Sequence, residues 1–270
     1  MDILDTFLRK HVFLSPGRRY DASFPGYVDV TRFAVRSLAE ECRPYPCRYN
    51  RIAGYFRRGL RGKTVLLYCH GNAEDLTTSA YHLKLFHDLG YSVAAVDYPG
   101  YGLSEGEPDE TGCYANARAL RRFLVAEGFA PKDIVVMGLS LGSGVAVRLA
   151  ARQNVGGLIL EAAFESGVAM AARMAGQLGL GAAGSAAVSL LQSANPFPSV
   201  ELIREVKVPV LSIHGTDDTL VPCEQGRALH AAAPLRYGFV EVPGAGHCDF
   251  IDRMGVTNYQ RTIARYLEGL

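Results

Sequence analysis

No apolar run in the 270-residue chain approaches the ~20 residues that a helix needs to span a bilayer. Nor is there a basic start. Asp2 and Asp5 precede the first Arg or Lys, the wrong order for a secretory signal peptide, and the chain reads as cytoplasmic. None of the six cysteines, Cys42, Cys47, Cys69, Cys113, Cys223 and Cys248, stands at C-x-x-C spacing from another, so they read as reduced and mostly buried thiols. No H-E-x-x-H and no run of carboxylates and histidines marks a metal centre, and no G-x-G-x-x-G or P-loop follows an apolar run. Neither a metal nor a nucleotide cofactor is called for. An excess of one charge is missing too. The 28 Lys and Arg against 27 Asp and Glu leave +1, which argues against a dedicated nucleic-acid binder. There is no internal repeat and no low-complexity tail.

Apolar residues make up 49% of the chain and charged residues 20%, which excludes the disordered class. A chain of this length fits one or two domains and buries roughly three quarters of its unfolded surface. Charge is unevenly spread, with 12 Lys or Arg and 6 Asp or Glu in residues 1–61. Arg18, Arg19, Arg32, Arg36, Arg43, Arg48, Arg51, Arg57, Arg58 and Arg61 supply most of it. They suit a peripheral contact with an anionic surface. The plainer reading is an edge hairpin kept soluble by charge.

Short Val/Ile/Leu runs alternate with helical spacing along the chain. Extended segments fit 30–37 and 51–58, and strands fit 64–71, 92–100, 132–140, 156–164, 208–218 and 237–247. Helical spacing runs through Tyr81, Leu85 and Leu89, and helices fit 109–128, 141–153, 223–233 and 250–268. That alternation predicts an α/β fold with parallel strands buried on both faces, and such sheets bind ligands beyond the strands' carboxyl ends. Residues 165–206 interrupt it. Their Ala/Gly/Leu/Met-rich core, 167–191, reads either as a mobile apolar lid hinged at its glycines or as one crossover helix plus a loop. Met170 and Met174 are its candidate substrate contacts, and NPFPS, 195–199, is turn chemistry that closes it.

Gly138-Leu139-Ser140-Leu141-Gly142 follows an apolar strand and opens a helix, so Ser140 occupies a tight turn that projects its hydroxyl. An alcohol needs a base, and the base needs an orienting carboxylate. His247, in GAGH, is the candidate base. Asp217 and Asp218, in HGTDD, are the neighbouring candidate acids, with Glu161 a weaker rival. His70 and His214 read as turn-shaping residues, and His11, His82, His87 and His230 as surface ones. The N–H of Leu141 is one candidate oxyanion donor. The second falls in His70-Gly71-Asn72-Ala73, at Asn72 with Ala73 as the alternative. DYPGYGLS, 97–104, is chiefly turn-forming, with Tyr98 or Tyr101 as a candidate pocket residue. Cys248 adjoins the base and is a candidate for alkylation.

HGNA, DYPGYGLSEG, GLSLG, HGTDD followed by Val221-Pro222, and GAGH together resemble the α/β-hydrolase superfamily over residues 28–268. The likeness is to its soluble serine-hydrolase branch of depalmitoylase-like and other acyl-ester hydrolases. The resemblance implies an eight-stranded, mostly parallel sheet, a Ser140–His247–Asp218 triad and an oxyanion hole from Asn72 and Leu141. Residues 1–27 then form an N-terminal extension and 28–270 the hydrolase domain. The function this implies is hydrolysis of a carboxylic ester or thioester of an apolar acyl group through an acyl-serine. The substrate is a small molecule, with an acylated protein as a further option. Amidase or peptidase action, acyl transfer to an alcohol, and a non-catalytic binding role on the same fold are the alternatives.

Overall fold

In a computed structural model that describes residues 13–17, 20–31, 33 and 51–270, the apolar runs become one sheet. Its strands are β1 (Tyr27–Asp29), β2 (Ala53–Arg57), β3 (Val65–Cys69), β4 (Ser92–Val96), β5 (Ile134–Leu139), β6 (Gly157–Glu161), β7 (Val210–Gly215) and β8 (Arg236–Val242). The order is β1-β2-β4-β3-β5-β6-β7-β8. β2 pairs antiparallel with β1 and β4, and every other neighbouring pair is parallel. The helices among the described residues are α1 (Leu76–His87), α2 (Glu110–Ala126), α3 (Leu141–Arg152), α4 (Gly167–Gln177), α5 (Gly181–Ala194), α6 (Ser199–Leu202), α7 (Cys223–Ala232), α8 (Phe250–Met254) and α9 (Val256–Glu268).

The central strands are apolar at successive residues because both faces are covered. Val65, Leu67, Cys69 and Val136 join one core with residues of α2 and α3, while Leu66, Tyr68, Val135 and Met137 join the other with α1 and α9. Burying each such aliphatic side chain stabilises the fold by about 1.5–3 kcal/mol. α1 starts where Asp75 caps it. Its Oδ1 accepts the N–H groups of Thr77 and Thr78, and the Thr78 hydroxyl faces the Asp75 N–H.

Three expectations change. The first strand among the described residues is Tyr27–Asp29, and Val30, Thr31 and Phe33 of the expected 30–37 lie beyond it, since Asp29 Oδ1 accepts the Thr31 N–H at 2.8 Å and closes a turn there. Residues 32 and 34–37 lie outside the described ones. The C-terminal helix is two helices, broken at Gly255, whose φ of 76° no helix contains. The 167–191 insertion is a helical hairpin, α4 and α5, turned at Gly179 (φ 64°) and Gly181 (φ 47°). Met174, Leu178, Leu180 and Leu190 are exposed on it. Arg173 of α4 fastens the hairpin to the sheet end by donating to the carbonyls of Thr219 and Leu220. Beyond the hairpin, Phe197 is buried against Phe13, Tyr114 and Phe164, and its N–H donates to Glu110 Oε1 at 2.8 Å.

Of the arginine-rich segment, Arg18, Arg19, Arg32, Arg36, Arg43 and Arg48 lie outside the described residues, as do Cys42, Cys47 and His11. Arg51 pairs with Glu105, and Arg58 pairs with Glu127 and lies over the Phe129 ring. No helix among the described residues is long and apolar enough to cross a membrane.

Backbone contact at Gly156, just before β6, is a strict requirement of this sheet. A Cβ there would stand 1.8 Å from the carbonyl oxygen of Lys132. Gly156→Ala is expected to lower unfolding stability in urea by about 1–3 kcal/mol, with activity per folded molecule unchanged.

Candidate active site

β5 ends at Leu139, and Ser140 turns the chain into α3 with φ 50° and ψ −117°. A non-glycine residue holds such a conformation only when its surroundings impose it. Here the Ser140 N–H donates to the Glu161 carbonyl of β6 at 2.9 Å, and the Ser143 N–H and hydroxyl both donate to the Ser140 carbonyl. The flanking glycines allow the approach. A Cβ on Gly138 would lie 2.3 Å from the Gly142 oxygen, and one on Gly142 would lie 2.0 Å from the Cys69 oxygen at the end of β3.

His247 follows β8, in a turn sewn to the one after β7. The Thr216 N–H donates to the Val242 carbonyl and the Asp217 N–H to the Ala245 carbonyl. The Gly244 N–H donates to the Thr216 hydroxyl. This seam brings three side chains into line. His247 Nδ1 lies 2.7 Å from Asp218 Oδ2, and His247 Nε2 lies 2.9 Å from Ser140 Oγ. With Nδ1–H donating to the carboxylate, Nε2 is left to accept from the hydroxyl.

Asp218 is the acid in this line. Its Oδ1 accepts the N–H groups of Leu220 and Val221 at 2.9 and 2.8 Å. Burial works against its charge, but hydrogen bonds from His214, His247 and the Val221 amide outweigh that and hold its carboxyl well below the usual carboxylate range. Asp217 is exposed and accepts the Thr216 hydroxyl. Glu161 has its side chain on Tyr259 and His82.

Leu141 opens α3, where helix N–H groups lack intrahelical partners. The contact of Gly142 with the Cys69 and His70 oxygens sets that helix start beside the turn after β3. In that turn Asn72 Oδ1 accepts from the Leu14 N–H, the Tyr101 hydroxyl and the Ala73 N–H, and Ala73 has φ 60°. The Gly71 N–H donates to Glu74 Oε2 at 2.7 Å.

Other assignments are redrawn. Tyr98 has no accessible surface, and its hydroxyl donates to the His70 carbonyl, so it supports the turn from within instead of touching a substrate. Met170 packs partly buried on the core beside Gln225, and Met174 is 44% exposed on the hairpin. A groove between α4 and α5 is lined by small residues such as Ala172, Ala175, Gly184 and Ser185. His82 and His230 are not surface residues. His82 is bonded to Glu161 and Tyr259, and His230 is buried against the Ser212 hydroxyl. His70 is buried with Nδ1–H on the Gly71 carbonyl, and His214 donates from Nε2 to the Val221 carbonyl. The sequence reading missed Glu74 and Leu14 as anchors of the Asn72 turn. A carboxylate three residues past a strand-end glycine was the only local signal for Glu74.

A serine raised on a strained strand-to-helix turn, with an acid and then a histidine on later turns, defines the hydrolase architecture of this sheet order. The profile described as "Alpha/beta hydrolase family" matches residues 66–258. The Caenorhabditis elegans "Alpha/beta hydrolase domain-containing protein aho-3" is 35% identical over 207 residues, 75% of this chain and 58% of its own length. The mouse "Alpha/beta hydrolase domain-containing protein 17C" is 31% identical over 226 residues, 83% of this chain and 63% of its own. The chain thus spans about six-tenths of the length of these two relatives. Among solved structures, the Pyrococcus furiosus esterase Pf2001 superposes with a TM-score of 0.70 at 17% identity, over 95% of this chain and 97% of that one, a likeness of fold. The chain belongs to the alpha/beta hydrolase family, and its eight-stranded, mostly parallel sheet is the fold that the sequence resemblance implied.

Two outcomes follow from the electrostatics. Cys248 is exposed, yet burial of its thiol and the charges of Glu74, Asp218, Glu161 and Asp249 push it up to about 11. Against the expectation of an alkylation-sensitive thiol, its rate with iodoacetamide at pH 7.5 should fall below that of a free cysteine and climb toward pH 11, as peptide mass mapping would read. The depressed Asp218 stabilises the fold above the unfolded carboxylate pKa of ~3.9, and that contribution is lost as pH falls below it toward the folded value. The stability gap between wild type and Asp218→Asn should therefore be wider at pH 6 than at pH 3 in thermal unfolding.

Proposed function

We propose that this chain is a serine hydrolase of carboxylic esters or thioesters. The observation that carries this reading is the unbroken line Ser140 Oγ, His247 Nε2, His247 Nδ1, Asp218 Oδ2 at 2.9 and 2.7 Å. Ser140 attacks the acyl carbon while His247 takes its proton. Asp218 keeps the proton on Nδ1 and stabilises the imidazolium. Collapse of the tetrahedral adduct expels the alcohol or thiol, protonated by His247, and leaves an acyl-serine. Water, activated by the same histidine, then releases the acid. The oxyanion is met by the Leu141 N–H and the Asn72 N–H. Ala73 is the alternative to Asn72, and its N–H donates to Asn72 Oδ1. Losing one such donor costs about 100–1,000-fold in kcat.

The insertion supports an apolar acyl group. Between Arg173 and Glu201 it carries no charged residue, and Leu178 and Leu180 stand exposed at its turn. A charged acyl group would find no partner there.

Labelling with a fluorophosphonate probe, read by intact mass and peptide mapping, tests the site. A single adduct on Ser140, absent from folded Ser140→Ala, is the expected result. No adduct on the folded wild type would overturn the hydrolase reading in favour of a binding role. On p-nitrophenyl esters of graded length, Asp218→Asn should lower kcat by about 10⁴-fold. A variant with near wild-type kcat would remove Asp218 from the mechanism.

A further inference from the structure

On the α1–α9 side of the sheet, beside the site but outside the serine–histidine–aspartate line, lies a second ionisable cluster. Glu161 is fully buried at the end of β6. Its Oε1 accepts the Tyr259 hydroxyl of α9 at 2.5 Å, and its Oε2 lies 3.1 Å from His82 Nε2 of α1. The same nitrogen lies 3.0 Å from the Tyr259 oxygen. Tyr68 of β3 stacks on the His82 imidazole with centroids 5.1 Å apart and planes 18° from parallel, which fixes the ring's plane. Glu74, at the turn before α1, acts on His82 through its charge, and its Oε2 holds the Gly71 N–H.

Both carboxylates reach the reacting region through the backbone. Glu161's own carbonyl accepts the Ser140 N–H at 2.9 Å, and the next residue, Ala162, has φ 46°. The residue whose side chain the cluster clasps is therefore the one whose carbonyl holds the nucleophile turn. Glu74 holds the first amide of the turn that carries Asn72. His82 is the basic group of this cluster, with its Nε2 against Glu161 Oε2. Burial works against its charge, but the Glu161 carboxylate, by charge and hydrogen bond, and the Glu74 charge raise its pKa. Burial likewise raises the Glu74 pKa, while the Gly71 amide and His82 draw it back down.

We infer that Glu74, holding the Gly71 amide, and His82, holding Glu161, form a positioning network that keeps the oxyanion turn and the nucleophile turn in mutual register. It acts through other groups and touches no reacting atom. The inference rests on the Ser140 reading, so turnover and Ser140 labelling are established on wild type first. A failure there is the failure of that reading, whereas this network fails only through its variants of an active enzyme.

The variants come in pairs. His82→Leu removes the donor to Glu161, and His82→Gln keeps one. Glu74→Ala removes the acceptor of the Gly71 amide, and Glu74→Gln keeps it. Tyr259→Phe removes the second clasp on Glu161 together with the hydroxyl beside His82 Nε2. Each is assayed for kcat and KM on a p-nitrophenyl ester, with folding checked by circular dichroism, and for amide hydrogen exchange in peptides covering 70–74 and 138–142. The expected result is a fall in kcat of about tenfold or more for His82→Leu and Glu74→Ala, with KM within about twofold. Exchange should quicken at the turn affected, and His82→Gln and Glu74→Gln should recover most of the rate. A purely structural role would lower thermal stability and leave kcat of the folded protein in place. Should His82→Leu not fold, the Glu74 pair and Tyr259→Phe decide. Wild-type kcat in folded His82→Leu or Glu74→Ala, or unchanged exchange at both turns, overturns the inference.

Discussion

A single backbone contact organises this molecule. The start of α3 lies against the end of β3 so closely that Gly142 has room for no side chain, with the Cys69 oxygen 2.0 Å from where a Cβ would be. That contact sets the serine turn and the Asn72 turn side by side. It works only because both belong to adjacent parallel strands, in a register that pairs Cys69 with Gly138. Either strand shifted by one residue would exchange its two faces and carry the serine out of reach. The eight strands and their two apolar faces are the means by which a few backbone atoms keep their places.

Holding those atoms is costly. Ala73, Ser140 and Ala162 are non-glycine residues at positive φ, and all three stand at the carboxyl ends of neighbouring strands. Each costs about 1–3 kcal/mol, and two are held by bonds between strands, the Ser140 N–H on the Glu161 carbonyl and the Ala162 N–H on the Ile213 carbonyl. The acid and base turns show another solution. Thr216, Asp217, Gly244 and Ala245 share backbone and hydroxyl bonds. Asp218 and His247 are then presented from one seam instead of from two independent loops.

The sequence made the local parts legible. Gly138 and Gly142 around Ser140 and the apolar strand before them are written in contiguous residues, so periodicity and motif pointed to parallel strands and to Ser140 and His247, while the resemblance implied the eight-stranded sheet and Asp218. Asp217 and Asp218 were distinguishable only by resemblance, since nothing in T-D-D tells which carboxylate turns inward. What stayed hidden depends on contacts between distant segments. His82 sits on a helix whose pattern looks ordinary, and only folding brings it to Glu161 and Tyr259, 79 and 177 residues away. Tyr98 looked available because its turn chemistry is visible and its complete burial is not. The Ala/Gly-rich insertion gave no sign of where one helix would end and the next begin, because small residues fit both a helix and a turn.

Arg173 gives that insertion a mechanical meaning. Its guanidinium holds the carbonyls of Thr219 and Leu220, the two residues after Asp218, while the Leu220 amide holds the Asp218 carboxylate. The hairpin and the acid therefore hang from the same short piece of chain. A swing of α4 as a whole would pull on the loop that carries Asp218. Room for movement belongs beyond the anchor, in the uncharged stretch that follows Arg173. Any such movement would hinge on the glycine turn and leave the first turns of α4 clamped to the sheet.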